Sequence, residues 1–218
     1  MGQILHIEGV FGSGKTTACA DLMDQFNAEG IGASWYLEEA KDHPISPEQV
    51  RRDSRNSDYP GVLLRAWEDF LRQSPAGWCV LDGYALQSTV RFLFDQHYPR
   101  GVVDSYFREW ASLGGEHHRL IYLHVHSLRD HVDRVVGLRG VAWTNKVVSY
   151  VEQTPLGQQQ ILSGVHGLIE YLDRYQSLCL DLLARSDLRN VIVPAMAPEW
   201  QSKDVSIIVS GDLDQLRR

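Results

Sequence analysis

Short apolar runs alternate with amphipathic stretches along this chain. Residues 3–7 (QILHI), 33–37 (ASWYL), 78–81 (WCVL), 120–125 (LIYLHV) and 190–193 (NVIV) are short and rich in apolar and β-branched side chains, and read as strands. Residues 205–209 (VSIIV) read as a last short strand at an edge. Between them, apolar positions recur at helical spacing. Leu63, Trp67, Phe70 and Leu71 mark a helix over 61–73. Helices are also predicted over 16–27, 86–96 and 128–136, a weakly helical polar stretch over 47–55, and a long helix over 157–185 bent at Gly164 or Gly167. Residues 139–155 are the most irregular long connection. Strands separated by helices imply βαβ units, a parallel sheet, and a site beyond the carboxyl ends of the strands. No repeat and no linker divides residues 1–218, so a single domain is expected.

Composition narrows the picture. The chain has 218 residues, 44% of them hydrophobic and 22% charged, the usual make-up of a globular domain. A net charge of -7 disfavours nonspecific binding to nucleic acid, although local arginines could still hold a small anion. The three cysteines, Cys19, Cys79 and Cys179, lie far apart among apolar residues and are expected to be buried, reduced thiols, which fits the cytoplasm. No apolar run approaches the roughly 20 residues needed to cross a bilayer. MGQILHIEG has neither the basic start of a signal peptide nor the pattern of a myristoylation signal.

One stretch carries recognisable chemistry. Gly9, Gly14, Lys15 and Thr16 fit G-x-x-x-x-G-K-[ST], with a strand before and a helix after. Glycines let the backbone wrap a phosphate chain, and the loop N–H groups and the helix N-terminus point at the anion. The loop Gly9, Val10, Phe11, Gly12, Ser13, Gly14, Lys15, Thr16 and Thr17 therefore reads as the cradle of a nucleoside triphosphate. Lys15 is placed for the β- and γ-phosphates and Thr16 for Mg²⁺.

The longer run IEGVFGSGKTT resembles the IEGxxGxGK[ST]T start shared by thymidylate kinases and deoxynucleoside kinases. Three further stretches resemble that group in order. In YLEEAKDHP, Glu38 or Glu39 corresponds to the acid that ends the second strand and acts as base toward a sugar hydroxyl; the proline that commonly follows is absent. WCVLDGYALQST resembles D-R-Y-x-x-S, with Asp82 as a Mg²⁺ partner, and Gly83 stands where the group has an arginine that holds substrate. IYLHVHSLRDHVDRVVGLRG resembles the strand and helix that lead into an arginine-bearing lid, here roughly 137–157. Arg134 and Arg139 are its candidates, and Arg129 is expected to face solvent.

The resemblance implies a three-layer α/β P-loop fold with a central parallel five-stranded sheet flanked by helices. It also implies ATP and Mg²⁺ as cofactors, a nucleoside or nucleoside monophosphate as acceptor, and a homodimer. Two other readings stay open: a kinase for a non-nucleotide metabolite or antibiotic hydroxyl, which Gly83 motivates, and a nucleotide-binding regulator with no acceptor. Candidates for the acceptor side are Arg51, Arg52, Arg55, Arg65, Arg91 and Arg100, with Trp67 and Phe70 either stacking on a base or filling the core. His117, His118, His124 and His126 lack the carboxylate or thiolate that would complete a metal set.

Overall fold

The computed structural model describes residues 2–38, 45, 58–73, 77–195 and 202–216. Among these, five strands form one sheet: β1 (Gln3–Gly9), β2 (Ala33–Leu37), β3 (Trp78–Asp82), β4 (His118–His124) and β5 (Arg189–Pro194). All pairings are parallel, in the order β2-β3-β1-β4-β5. The register sets Ile7 opposite Asp82 and Gly9 opposite Leu123, so the first and third strands deliver the phosphate loop and an acid to the same end of the sheet.

Both faces of the sheet are covered, which is why the central strands are apolar on both sides rather than alternating. On one face Leu5, Ile7, Val80, Ile121 and Leu123 pack under helix α1 (Lys15–Ala28) and, near the C-terminus, helix α8 (Ser202–Ser210). On the other face Ile4, Leu81, Leu120 and Tyr122 pack under α2 (Tyr59–Gln73), α4 (Arg100–Gly114) and α7 (Gly164–Ala184). This three-layer α/β arrangement is the P-loop fold expected from the sequence. Cys19, Cys79 and Cys179 are free and buried, as expected. Among the described residues no helix is long and apolar enough to cross a membrane.

Five elements differ from the sequence reading. Residues 205–209 are not a strand but part of α8: Val205 and Ile208, three apart, are both buried, whereas a strand would bury alternate positions. Residues 139–153 are not irregular either. Helix α5 (Leu128–Gln153) runs through them, departing from helical geometry only at Gly140 (φ 79°, ψ 172°). Thr144 and Val151 are buried there, and Val147 and Val148 partly so, a helical period that the β-branched composition disguised. The long C-terminal helix is two pieces, α6 (Pro155–Gln159) and α7, joined by a turn in which Ile161 takes φ 54°. Helix α4 is an addition, with Val103, Tyr106, Phe107 and Trp110 buried on one face. The segment predicted as 86–96 begins as a π-helical turn (Ala85–Val90) and continues as α3 (Arg91–Asp95). The weak helix expected over 47–55 lies outside the described residues.

Candidate active site

The loop between β1 and α1 is built by its glycines. A Cβ on Gly9 would sit 2.8 Å from the carbonyl of Leu123, and one on Gly12 would sit 2.7 Å from Val135 of α5. Gly14 caps α1 in the left-handed region (φ 96°), with no side-chain bond to the first turn. The N–H groups that open α1 therefore point toward the cleft without a side-chain acceptor, the arrangement that suits a phosphate. Lys15 donates to the carbonyls of Gly9 (3.1 Å) and Val10 (3.0 Å), which holds its ammonium inside the curl of the loop. Burial lowers its pKa, and Glu38, Asp82 and Glu8 oppose that shift. Phe11, Gly12, Gly14, Lys15, Thr16 and Thr17 face a cleft of about 660 Å³, while Gly9, Val10 and Ser13 form the buried wall behind it.

Asp82, the last residue of β3, accepts a hydrogen bond from the Thr16 hydroxyl at 2.7 Å. Burial raises its carboxyl above the ordinary range, against the Thr16 bond and the Lys15 charge. A hydroxyl and a carboxylate, all oxygen, fit Mg²⁺, which keeps waters and phosphate oxygens in most of its octahedron, while the uncapped helix N-terminus beside them suits the phosphates. Among the described residues no cluster of three or more His, Cys, Asp or Glu side chains could hold a metal by itself. His124 and His126 meet edge to face, with ring centroids 4.7 Å apart.

Glu38 follows β2 directly, and its carboxylate is held at both oxygens. Oε2 accepts from the Gln87 amide and Oε1 from the Ser88 hydroxyl, each at 2.6 Å. Both donors sit on the π-helical turn after β3, which a second acid fixes. Glu8 accepts from the backbone N–H groups of Ala85 (2.6 Å), Leu86 (3.0 Å) and Gln87 (3.1 Å), so it caps the turn that carries the Glu38 partners. Complete burial pushes the Glu8 carboxyl up to about 7, against two of those backbone bonds and the Lys15 charge. The sequence marked Glu8 as part of a motif but gave it no task; its partners are 77 to 79 residues away. Glu39, the alternative to Glu38, lies outside the described residues.

Gly83 has a physical reason to be glycine. Its φ is +69°, and a Cβ would meet Lys15 Cε at 2.7 Å and Glu38 Oε2 at 3.4 Å. A side chain at position 83, where the group it resembles has an arginine, would therefore press on the Lys15 stem. A different arginine reaches the same cleft. Arg91, on α3, lines the cleft with Glu38, Gln87, Tyr150 and Tyr171. Its Nε is 4.0 Å from Asp95, and its guanidinium lies 5.7 Å from the centroid of the Tyr150 ring. Asp95 in turn accepts from the Tyr150 and Tyr171 hydroxyls, both at 2.5 Å.

The first half of α5 locks the loop from above. Burial lowers the His131 pKa. With Nε2 donating to the Phe11 carbonyl at 2.9 Å, the neutral ring accepts from Arg134 on Nδ1 at 2.9 Å. Beyond Gly140, Trp143 lies edge to face with Phe11 (5.6 Å), and Arg139 lies over Trp143 (5.3 Å). Arg134, Arg139 and Lys146 all line the cleft. Lys146 was missed. The spacing of Trp143, Lys146 and Tyr150 along one helical face would have revealed it had the segment been read as helix.

The remaining candidates fall elsewhere. Trp67 and Phe70 are core. Arg65 is exposed and paired with Asp58. Arg100 joins Asp104, Asp181 and Arg185 in an exposed ion-pair network between α4 and α7. Arg129 is exposed, as expected. Arg51, Arg52 and Arg55 lie outside the described residues.

No protein-family model matches this chain, and no curated protein does. Solved structures do. The YorR protein of Bacillus subtilis, in complex with phosphorylated GDP, aligns over 99% of this chain and 99% of its own length, with 12% identity and a TM-score of 0.53. A deoxyadenosine kinase from M. mycoides with bound dATP aligns over 97% and 99%, with 18% identity and a TM-score of 0.47. A gluconokinase from Sinorhizobium meliloti 1021 aligns over 99% and 93%, with 18% identity and a TM-score of 0.44. At such identities the likeness establishes a shared fold, and it rests on the first of the three.

Proposed function

We propose that this chain is an ATP- and Mg²⁺-dependent kinase that phosphorylates a hydroxyl group of a small nucleoside-type acceptor. The observation that carries the reading is Glu38, a carboxylate gripped at both oxygens and set in the same cleft as Lys15, Thr16 and Asp82. A carboxylate so placed accepts the proton of the attacking hydroxyl. The loop N–H groups and Lys15 bind the donor phosphates, and Thr16 and Asp82 hold the dication. Mg²⁺, when bound, neutralises charge on the β- and γ-phosphates. The acceptor oxygen forms a bond to the γ-phosphorus as the bond to the bridging oxygen breaks, and the hydroxyl proton passes to Glu38. Arg134, Arg139 and Lys146 meet the charge on the transferring group, and residues 141–153 of α5 act as the lid that excludes water.

A second reading, a non-nucleotide hydroxyl acceptor, is favoured by the loss of Trp67 and Phe70 to the core, which leaves the acceptor end without those stacking rings. The test is a panel of nucleosides, nucleoside monophosphates and polyhydroxy metabolites with ATP and Mg²⁺, read by product mass. One acceptor should gain a single phosphoryl group. Lys15→Ala should abolish the gain, and Glu38→Gln should lower kcat by about 10²- to 10⁴-fold. ATP binding with no phosphorylated product from any acceptor would move the assignment to a nucleotide-binding regulator.

A further inference from the structure

Arg91 has more bonding capacity than the protein around it uses. A guanidinium offers several N–H donors and stays charged at any working pH. The Arg91 side chain is only 27% exposed, yet among the described residues none of its nitrogens donates a hydrogen bond, and its Nε is buried without an acceptor. Its contacts are of other kinds. Nε stands 4.0 Å from Asp95, an ion pair beyond hydrogen-bond reach, and both Asp95 oxygens are taken by the Tyr150 and Tyr171 hydroxyls. The guanidinium carbon lies 5.7 Å from the centroid of the Tyr150 ring. Asp95 and Tyr150 thus balance charge and hold the group in place, but they do not satisfy its N–H groups. Polar groups so placed in a folded chain are uncommon and call for a partner.

The place of Arg91 says what that partner is. The cleft is lined by five cations, Lys15, Arg91, Arg134, Arg139 and Lys146, and by two acids, Glu38 and Asp82. Lys15 belongs to the phosphate loop, and Arg134, Arg139 and Lys146 to α5, which covers that loop. Arg91 comes instead from the stretch that holds Glu38. It follows Gln87 by four residues, both line the cleft, and the Gln87 amide binds Glu38 at 2.6 Å. We infer that the acceptor is itself an anion: besides the hydroxyl that meets Glu38 it carries a phosphate monoester or carboxylate group, and Arg91 binds that group through its unused N–H donors. The planar fork of a guanidinium matches two oxygens of either group. The inference rests on the kinase reading for the role of this ligand, whereas the anion site is a property of the chain alone. It narrows the substrate class. Neutral nucleosides and neutral sugars lack the group, and the product keeps it beside the new phosphoryl group, because the attacking oxygen is the hydroxyl.

The test is calorimetric binding to the full chain, with the donor site filled by β,γ-methylene ATP and Mg²⁺. The probes are matched pairs: thymidine and thymidine 5′-monophosphate, ribose and ribose 5-phosphate, glucose and glucuronate. In at least one pair the anionic member should bind about 10- to 100-fold more tightly than the neutral one, and the pair that does so tells phosphate from carboxylate. Arg91→Met should remove the difference, and Arg91→Lys should keep only part of it, since a point charge lacks the fork. Arg91→Met leaves Asp95 buried without its cation, so Arg91→Met/Asp95→Asn is measured beside it, and circular dichroism confirms that each variant is folded. Equal binding within every pair, binding of no probe, or a difference that survives in the folded double variant overturns the inference and leaves the kinase reading intact. A probe that binds through Arg91, with no phosphorylated product from it or from any acceptor of the panel, overturns the kinase reading and leaves the anion site standing.

Discussion

Glu8 shows how much a single buried acid can decide. It lies at the end of the first strand, wholly buried, and organises a turn almost eighty residues away. Its folded pKa of about 7 stands above the ordinary 4.5, so the neutral carboxyl is the form that folding favours. The corresponding stability is complete below about pH 4.5, declines as pH rises, and is gone above about pH 7, a change on the order of 3 kcal/mol. Glu8→Gln should remove that pH dependence. It should also cost about 1–3 kcal/mol at pH 5, because an amide cannot accept all three backbone bonds. Urea melts at pH 5 and pH 8 check both points: the gap between the two proteins should be wide at pH 5 and narrower at pH 8. Residue types at this scale were only half legible. The loop from Gly9 to Thr17 declares itself because its chemistry is contiguous. Glu8 and Arg91 do not, because their partners are scattered: Arg91 depends on Asp95, whose own tyrosines lie 55 and 76 residues further along.

Elements were legible where the pattern was strong. The five strands and α1 fall close to where alternation and motif put them, since a buried parallel strand leaves little ambiguity of period. The misses, at α4, α8 and the second half of α5, share a cause. Their buried faces are built from β-branched and aromatic residues (Val, Ile, Thr, Tyr, Phe and Trp), which favour strands locally but pack here as helices. Gly140 is the point at which α5 turns over the cleft. Its φ and ψ lie in a region essentially reserved for glycine, and no atom lies within 4 Å of a Cβ placed there, so a substitution acts through the backbone alone. Gly140→Ala should put about 1–3 kcal/mol of strain on that backbone, which α5 sheds by straightening and carrying Trp143, Lys146 and Tyr150 off the cleft. The expected result is a KM for ATP raised several-fold with Tm little changed. Unchanged KM with a lowered Tm would show that the kink is structural and the segment no lid.

At the scale of the whole molecule, a sheet packed on both faces makes a rigid platform, and the exposed Arg100, Asp104, Asp181 and Arg185 network ties two of the outer helices together. The cleft lies at the rim of this platform, lined by the phosphate loop, the π-helical turn and α5. Saturating ATP and Mg²⁺ should stabilise the protein by about 2.7 kcal/mol at a hundred times Kd, and Lys15→Ala should lose that gain in a thermal melt. The contact of Trp143 with Phe11 has an optical consequence. Trp67, Trp78 and Trp110 are sealed in the two cores, whereas Trp143 is half-buried and lines the cleft. A nucleotide entering beneath it changes the surroundings of a fluorophore that a collisional quencher can reach. Loss of acrylamide quenching on adding ATP, absent in Trp143→Phe, would time the closing of the cleft without any label added to the protein.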